Sequence, residues 1–210
     1  MRGICLFGAI ILTPEISTNE SDTMCGHIDG KGGTFGERAL RCYGTMAFMI
    51  NNKFQQRKRL RLKDFDYANT NSVYFITICA HAKQSYFNNA NYAGIVADEI
   101  DYRSKTTQEV IVFAWCIMPD HVHILLKLSD GYGKSLQNWV AAFKRYTARI
   151  ISQLYGIKLL WQPDFHEHVV RKEESLNQIA EYIANNPVRK GMVDEWTRYN
   201  FSRINFDVFG

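Results

Sequence analysis

Long apolar runs, paired cysteines and a strong excess of one charge are all missing from this chain of 210 residues. No apolar run reaches the roughly 18 residues that a transmembrane helix needs. The five cysteines are odd in number and form no Cys-x-x-Cys pair, which argues against a disulfide framework and against a structural zinc site. We therefore expect a protein of the reducing cytoplasm that has no membrane partner.

Charge is nearly balanced over the whole chain. The 25 Lys and Arg residues against 21 Asp and Glu residues give a net charge of +4, which permits nucleic-acid binding without requiring it. The distribution is more informative, because residues 53–63 include six basic residues and no acidic residue. Such a run is typical of a solvated arm, and it is also typical of a segment that follows phosphates.

The first 45 residues differ in composition from the rest of the chain. They contain eight of the 14 glycines and three of the five cysteines, and they show no sustained helical or strand period. We predict a poorly structured extension over residues 1–45, a basic arm over 46–64 and a folded domain over 65–210. Met46 and Met49 directly follow the extension, so one of them is a candidate for the true start of translation.

Residues beyond the arm alternate between strand and helix patterns. We expect a buried hairpin at 110–118 and 121–128, a first strand at 72–80 and a short strand at 165–171. Helical periods cover 90–104, 136–155 and 173–185, and we expect Gly156 and Pro187 to end the last two helices. This order predicts an α+β fold of the ferredoxin-like or RRM-like kind, with helices packed on an antiparallel sheet.

Two histidines in the third strand form the first candidate site. His121 and His123 are two residues apart, so on a strand their side chains point to the same face. Two imidazoles at this spacing can hold one divalent ion, such as Mn²⁺, Mg²⁺ or Zn²⁺. The alternative is a pair of hydrogen-bonded strand histidines.

Tyr182 and Asn186 form the second candidate site. They are four residues apart and so share one face of the last helix, beside its apolar stripe. Tyr182 can therefore project toward a site, although a tyrosine at the boundary of the core would give the same pattern.

A second His-x-His pair, His166 and His168, lies in the short strand. Since Glu167 points the opposite way, we favour one packed and one hydrogen-bonded histidine over a second ligand pair. Arg171 is a candidate phosphate contact, and its alternative is a salt bridge with Glu173 or Glu174.

Three segments taken in order resemble one family. They read Met-Pro-Asp-His-x-His at 118–123, Trp-Gln-Pro-x-Phe-His-Glu-His-Val-Val-Arg at 161–171 and Glu-Tyr-Ile-x-x-Asn-Pro-Val-Arg at 181–189. This ordered set is similar to the REP-associated tyrosine transposases, which belong to the HUH single-strand DNA transposases. The resemblance covers residues 57–193 and leaves 1–45 without a counterpart, in agreement with the proposed later start.

The resemblance implies an HUH transposase architecture for residues 65–210, with the histidine pair on a middle strand. It implies that His121, His123 and Asn186 bind Mg²⁺ or Mn²⁺, and that Tyr182 is the nucleophile. A neutral phenol, with a pKa of about 10, attacks poorly, but the ion would polarise the scissile phosphate. The expected products are a 5′-phosphotyrosine and a free 3′-hydroxyl, which allows strands to be rejoined.

The partner that the resemblance implies is single-stranded DNA whose palindromic repeats fold into hairpins, bound by a monomer or a homodimer. A single strand needs a basic groove and aromatic platforms. We also predict a supporting role beside the site for His168. The predicted DNA contacts are Arg57, Lys58, Arg59, Arg61, Lys63, Lys144, Arg145, Arg149 and Arg171.

Other functions remain open at this point. A non-catalytic binding module for single-stranded DNA or RNA would use the histidines and Tyr182 for stacking or packing. A hydrolase that uses water would leave Tyr182 structural, but the sequence lacks the carboxylate cluster that two-metal nucleases use. A domesticated transposase acting on chromosomal palindromes is a further possibility.

Overall fold

The computed structural model describes residues 65–171 and 174–209. All of them belong to one unit of the chain, which spans residues 45–210. The predictions for the extension 1–45 and the arm 46–64 lie outside the described residues. The same holds for the DNA contacts predicted within the arm, which are Arg57, Lys58, Arg59, Arg61 and Lys63.

A five-stranded antiparallel sheet forms the centre of the fold. Its strands lie in the order β4-β1-β3-β2-β5, and every neighbouring pair is antiparallel. The histidine-bearing strand β3 is therefore the middle strand, as expected. The strands are β1 Val73–Cys79, β2 Val110–Met118, β3 His121–Leu128, β4 His166–Val169 and β5 Ser202–Ile204.

Helices cover both faces of this sheet. The helices are α1 Ala90–Asp101, α2 Leu136–Tyr155, α3 Leu176–Ala184 and α4 Asn186–Arg189. Helices α1 and α2 pack on one face and share its core, while α3 packs on the other face against β2, β3 and β5. The predicted α+β fold is confirmed. None of the described helices is long and apolar enough to span a membrane.

Alternation along the strands separates the two cores. In β1, Tyr74, Ile76 and Ile78 join the core beneath α1 and α2. Phe75 joins the core beneath α3 together with Leu125 of β3. Because strand residues two apart share a face, His121 and His123 lie on the same face as Leu125, which is the face that α3 covers.

The longest periodic segments agree best with prediction. Strands β2 and β3 and helix α2 have the predicted bounds, and α2 ends at Gly156, whose φ of 74° is the left-handed conformation that favours glycine. The strand β5 was not expected, because three residues are too few to show an alternating pattern.

The predicted role of Pro187 was wrong. Helix α3 ends at Ala184, and Asn185 (φ −81°, ψ 5°) separates it from α4. Pro187 lies in the first turn of α4 instead of stopping α3, which is a position where the missing N–H costs nothing. Asn186 is therefore the first residue of α4 and does not continue the helix of Tyr182.

A buried hydrogen bond ties α2 to the segment before β4. Trp161 Nε1 donates to Thr147 Oγ1 at 2.9 Å, and Thr147 Oγ1 donates in turn to the Phe143 carbonyl. We expect Thr147→Val, which keeps the shape but removes the hydroxyl, to lower the free energy of unfolding by about 1–3 kcal/mol, because the indole N–H stays buried without a partner. Urea unfolding measures this change.

Thr147→Ser is the matched control, because it keeps the hydroxyl and removes one methyl group. It should destabilise the protein less than Thr147→Val does. A valine variant as stable as the parent protein would show that the hydrogen bond makes no net contribution.

Candidate active site

The rings of His121 and His123 converge at the start of β3. Their Nε2 atoms lie 3.0 Å apart, and their ring planes meet at 76°. For two nitrogen ligands at metal–nitrogen distances of about 2.1 Å, a separation of this size corresponds to a ligand–metal–ligand angle of about 90°. That is the angle between neighbouring ligands in the octahedral geometry that Mg²⁺ requires.

Each imidazole is oriented through its other nitrogen. His121 Nδ1 lies 2.6 Å from Asp120 Oδ1, and His123 Nδ1 lies 2.9 Å from Thr77 Oγ1. If Thr77 donates to His123 Nδ1, His123 Nε2 can donate a hydrogen bond to His121 Nε2. If both Nδ1 atoms donate instead, both Nε2 atoms carry a lone pair, and the two lone pairs face each other. A cation between them would remove this repulsion, and Nδ1 partners of this kind accompany metal-binding histidines in general.

Burial keeps the histidines in the form that binds metals. It lowers the pKa of His121, and it lowers the pKa of His123 well below the ordinary value. Nearby positive charges act in the same direction, with Arg189 affecting His123, Lys190 affecting His121 and Lys83 affecting both. Both imidazoles are therefore neutral at neutral pH.

Two buried cysteines border the pair but are poor ligand candidates. Cys79 lies opposite His121 across β1, and Cys116 lies opposite His123 across β2. Burial raises the pKa of Cys79, and it raises the pKa of Cys116 to about 12, so both remain thiols at neutral pH. They fill space beside the imidazoles as small apolar side chains.

Tyr182 reaches the same region from helix α3. Its half-buried ring meets Phe75 edge-on, with 6.5 Å between centroids, and Phe75 lies 5.4 Å from the ring of His123. Phe75 therefore lies between the tyrosine and the histidine pair. The structure thus places Tyr182 on the same side of the sheet as the histidines, within one chain, and Phe75 contacts both.

Asn186 is buried, with 8% of its surface exposed, and it is anchored to the end of α3. Its Nδ2 donates to the carbonyls of Tyr182 and Ile183 at 3.1 and 3.0 Å. These bonds leave Oδ1 as the end of the side chain that can act as a ligand. Within residues 65–171 and 174–209, no cluster of three His, Cys, Asp or Glu side chains is arranged to hold a metal. Asn186 therefore stays the third ligand that the family resemblance implies.

The second His-x-His pair is arranged differently from the first. His168 Nε2 lies 2.7 Å from Glu174 Oε2, so the expected hydrogen-bonded histidine is confirmed. The expectation that the other histidine is packed was wrong, because His166 lies on the edge strand β4 and is exposed. The Glu174 carboxylate bonds to His168 and Glu173 lies outside the described residues, so Arg171, which is exposed, stays a predicted phosphate contact.

The predicted basic contacts of α2 fall into two groups. Lys144 Nζ donates to the carbonyls of Gln162 and Pro163, at 2.5 and 2.8 Å, so it holds the loop before β4 and is no longer a good candidate for a phosphate contact. Arg145 and Arg149 are exposed. Because α2 packs on the face opposite to the histidine pair, these arginines and the pair lie on different sides of the sheet.

Four residues of this region were not predicted to contribute to the site. They are Thr77, Phe75, Asp120 and Arg189. Asp120 was open to prediction, because it directly precedes His121 in the turn. The positions of Thr77 and Phe75 relative to the histidines depend on the register between β1 and β3, and the position of Arg189 depends on the break at Asn185. None of these three positions could be predicted from sequence spacing alone.

Comparison with known proteins identifies the class to which this fold and site belong. The family profile described as "Transposase IS200 like" matches residues 68–186, which include both histidines, Tyr182 and Asn186. The chain belongs to the IS200-like transposase family. The resemblance predicted from the three sequence segments is therefore confirmed.

Individual relatives agree with this family. The REP-associated tyrosine transposase of Escherichia coli (strain K12) is 32% identical over 95 residues, which are 45% of this chain and 54% of that protein. The chain thus matches about half the length of that relative. A putative REP-associated tyrosine transposase of Haemophilus influenzae is 31% identical over 148 residues, covering 65% of this chain and 81% of that protein.

A solved structure supports the fold. A REP-associated tyrosine transposase bound to a REP hairpin matches with a TM-score of 0.53 at 23% identity, over 68% of this chain and 82% of that one.

Proposed function

We propose that this protein is a metal-dependent tyrosine transposase that cleaves and rejoins single-stranded DNA at hairpin-forming repeats. One observation carries the proposal: the Nε2 atoms of His121 and His123 lie 3.0 Å apart, and Tyr182 lies on the same side of the sheet, where Phe75 contacts both its ring and that of His123. Membership of the IS200-like transposase family supports it. The proposed catalytic domain is residues 65–210, acting in the cytoplasm.

His121, His123 and Asn186 are the residues that would hold Mg²⁺ or Mn²⁺. The fit rests on the Nε2 separation, on the orienting bonds from Asp120 and Thr77, and on the neutral state of both rings. When bound there, the ion would polarise the scissile phosphate and stabilise the negative charge that develops on it.

Tyr182 performs the covalent step. Its Oη attacks phosphorus, the bond from phosphorus to the 3′-oxygen breaks, and the phenol proton is finally transferred to that oxygen. The products are a 5′-phosphotyrosine and a free 3′-hydroxyl. Because the phosphodiester energy is retained in the enzyme–DNA bond, another 3′-hydroxyl can reverse the step and join strands without ATP.

The substrate we propose is a DNA hairpin with a single-stranded flank. The related transposase of known structure is bound to a REP hairpin. Tyr182 and both histidines come from one chain, so a monomer can carry the complete site, although a homodimer would carry two. We propose that His168 supports the site indirectly, since it lies opposite Phe75 in the neighbouring strand.

One observation favours a second candidate, a single-strand nucleic-acid binding module. Asp120 and Thr77 give both Nδ1 atoms partners without any ion, so the histidines can serve as structural residues. The two functions differ in whether a covalent product forms.

Metal removal separates these candidates. The protein is incubated with Mn²⁺ and labelled single-stranded DNA carrying palindromes from near its own gene, and the products are resolved on a denaturing gel. We expect a labelled band at the combined mass of protein and DNA, which a chelator abolishes and added Mn²⁺ restores. Tight binding without this band, for several palindromes and with both metals, would favour the binding module.

Helix α2 is the proposed contact surface for DNA backbone outside the catalytic site. The helix contains no acidic residue, and it exposes Arg145, Arg149 and the aromatic ring of Tyr146. The Arg149 guanidinium lies 5.6 Å from the centre of that ring, an arrangement that leaves both groups accessible for phosphate and base contacts.

We expect Arg145→Gln combined with Arg149→Gln to weaken DNA binding to a similar degree for all sequences. The slope of log K against log salt should become shallower by about 1.4–1.8, because each lost phosphate contact removes about 0.7–0.9. Fluorescence anisotropy titrations at several salt concentrations measure it. A slope equal to that of the parent protein would exclude these arginines from the DNA interface.

A further inference from the structure

Arg189 lies over the face of Tyr182. Its Cζ atom is 4.3 Å from the ring centroid, the shortest such distance among the described arginine–aromatic contacts. Arg189 is the last residue of α4 and lies three positions beyond the segment that matches the family profile. Its position follows from the short helix α4 and not from the helix that carries Tyr182.

The backbone holds this arginine firmly in place. Its amide donates to the Asn185 carbonyl at 3.0 Å, and the ring of Pro187 fixes the first turn of α4. Asn186 connects α4 to the end of α3 through the Tyr182 and Ile183 carbonyls. One small rigid unit therefore carries Tyr182, the candidate ligand Asn186 and Arg189.

Among the residues that the structure describes, none neutralises the charge of Arg189. Arg103, Arg198 and Arg203 each form an ion pair with a carboxylate. Within residues 65–171 and 174–209, no carboxylate lies at ion-pair distance from Arg189. Its positive charge also acts on His123, where it adds to the effect of burial in lowering the pKa. An exposed guanidinium that lies over the ring of the proposed nucleophile is suited to bind an anion there.

We propose that Arg189 is a second catalytic residue, which binds a non-bridging oxygen of the scissile phosphate and positions the Tyr182 ring for attack. This role rests on the proposed function of the site. The planar guanidinium presents paired N–H donors that match phosphate oxygens, and its charge stabilises the extra negative charge of the transition state.

The role proposed for Arg189 does not change which bonds form and break in the covalent step. The bond from Tyr182 Oη to phosphorus forms as the bond to the 3′-oxygen breaks, and the phenol proton ends on that oxygen. Arg189 stays protonated throughout, and its N–H groups donate to the phosphate oxygen while the guanidinium stays over the ring.

The test compares Arg189→Gln and Arg189→Lys with Arg198→Gln, a nearby exposed arginine that pairs with Asp194. Single-turnover formation of the covalent product is measured with saturating hairpin DNA and Mn²⁺, and Mn²⁺ affinity and the thermal midpoint are measured separately. We expect Arg189→Gln to slow the reaction about 100-fold to 1000-fold, the usual effect of losing one transition-state donor. Arg189→Lys should be intermediate, since it keeps the charge and loses the fork.

Mn²⁺ affinity and thermal midpoint should stay near those of the parent protein in both variants, and Arg198→Gln should react at the parent rate. If Arg189→Gln unfolds, the test uses Arg189→Lys instead, and a reaction slower than that of the parent protein supports the catalytic role. An Arg189 variant that reacts at the parent rate overturns the catalytic role and leaves the proposed function intact. A rate loss matched by an equal loss of Mn²⁺ affinity also overturns it, in favour of a structural role. A parent protein that forms no covalent product contradicts both proposals.

Discussion

Replacing Tyr182 with phenylalanine should abolish the covalent protein–DNA product and lower the rate of strand cleavage by at least about 10³-fold, as expected when a nucleophile is removed. The variant should remain folded, because a phenylalanine ring keeps the contacts with Phe75 and Arg189. Denaturing gels with end-labelled DNA measure both the adduct and the cleaved strand.

Tyr155→Phe is a matched control for this experiment. Tyr155 is exposed at the end of α2 and packs against Tyr92, away from the histidine pair. It should form the adduct at the parent rate. Cleavage that persists in Tyr182→Phe would indicate that water is the nucleophile, and the protein would then be a metal-dependent hydrolase.

Replacing His121 or His123 with alanine should also strongly reduce strand cleavage, because it weakens metal binding. Each change removes one of two imidazoles that point at the same position. Loss of a residue that only orients a ligand lowers metal affinity by up to about 100-fold, so we expect loss of a ligand itself to lower Mn²⁺ affinity by more than that. Cleavage at a fixed Mn²⁺ concentration should fall with it. Isothermal titration of the folded variants with Mn²⁺ measures the affinity directly.

His166→Gln serves as the control, because His166 is an exposed histidine on the edge strand β4. It should bind Mn²⁺ as the parent protein does. Alanine variants of His121 and His123 that retain the parent affinity for Mn²⁺ would leave the pair with a structural role only.

Much of the fold could be predicted because its main elements are long and regular. Strand β2 is a continuous apolar segment, a Pro-Asp turn joins it to the partly alternating strand β3, and α2 has a clear apolar stripe that ends at Gly156. Alternation within β3 was enough to predict that His121 and His123 share a face. The separation of 3.0 Å between their Nε2 atoms also depends on the ring orientations, which the contacts with Asp120 and Thr77 set.

Features that depend on tertiary contacts could not be predicted in the same way. The apolar stripe of α2 shows which side of the helix is buried but not which face of the sheet it covers, so the sequence could not show on which side of the sheet Arg145 and Arg149 lie. Spacing could not show that Lys144 binds loop carbonyls. The contact of Tyr182 with Phe75 joins residues more than 100 positions apart in the sequence.

Identifying the residue that becomes joined to DNA tests the proposed mechanism most directly. The parent protein is allowed to react with hairpin DNA and Mn²⁺, the DNA is trimmed with nuclease, and the protein is digested and sequenced by tandem mass spectrometry. We predict a nucleotide attached through phosphate to Tyr182 and to no other residue. Cleaved DNA without any modified peptide, or a nucleotide on a different side chain, would contradict the assignment of Tyr182 as the nucleophile.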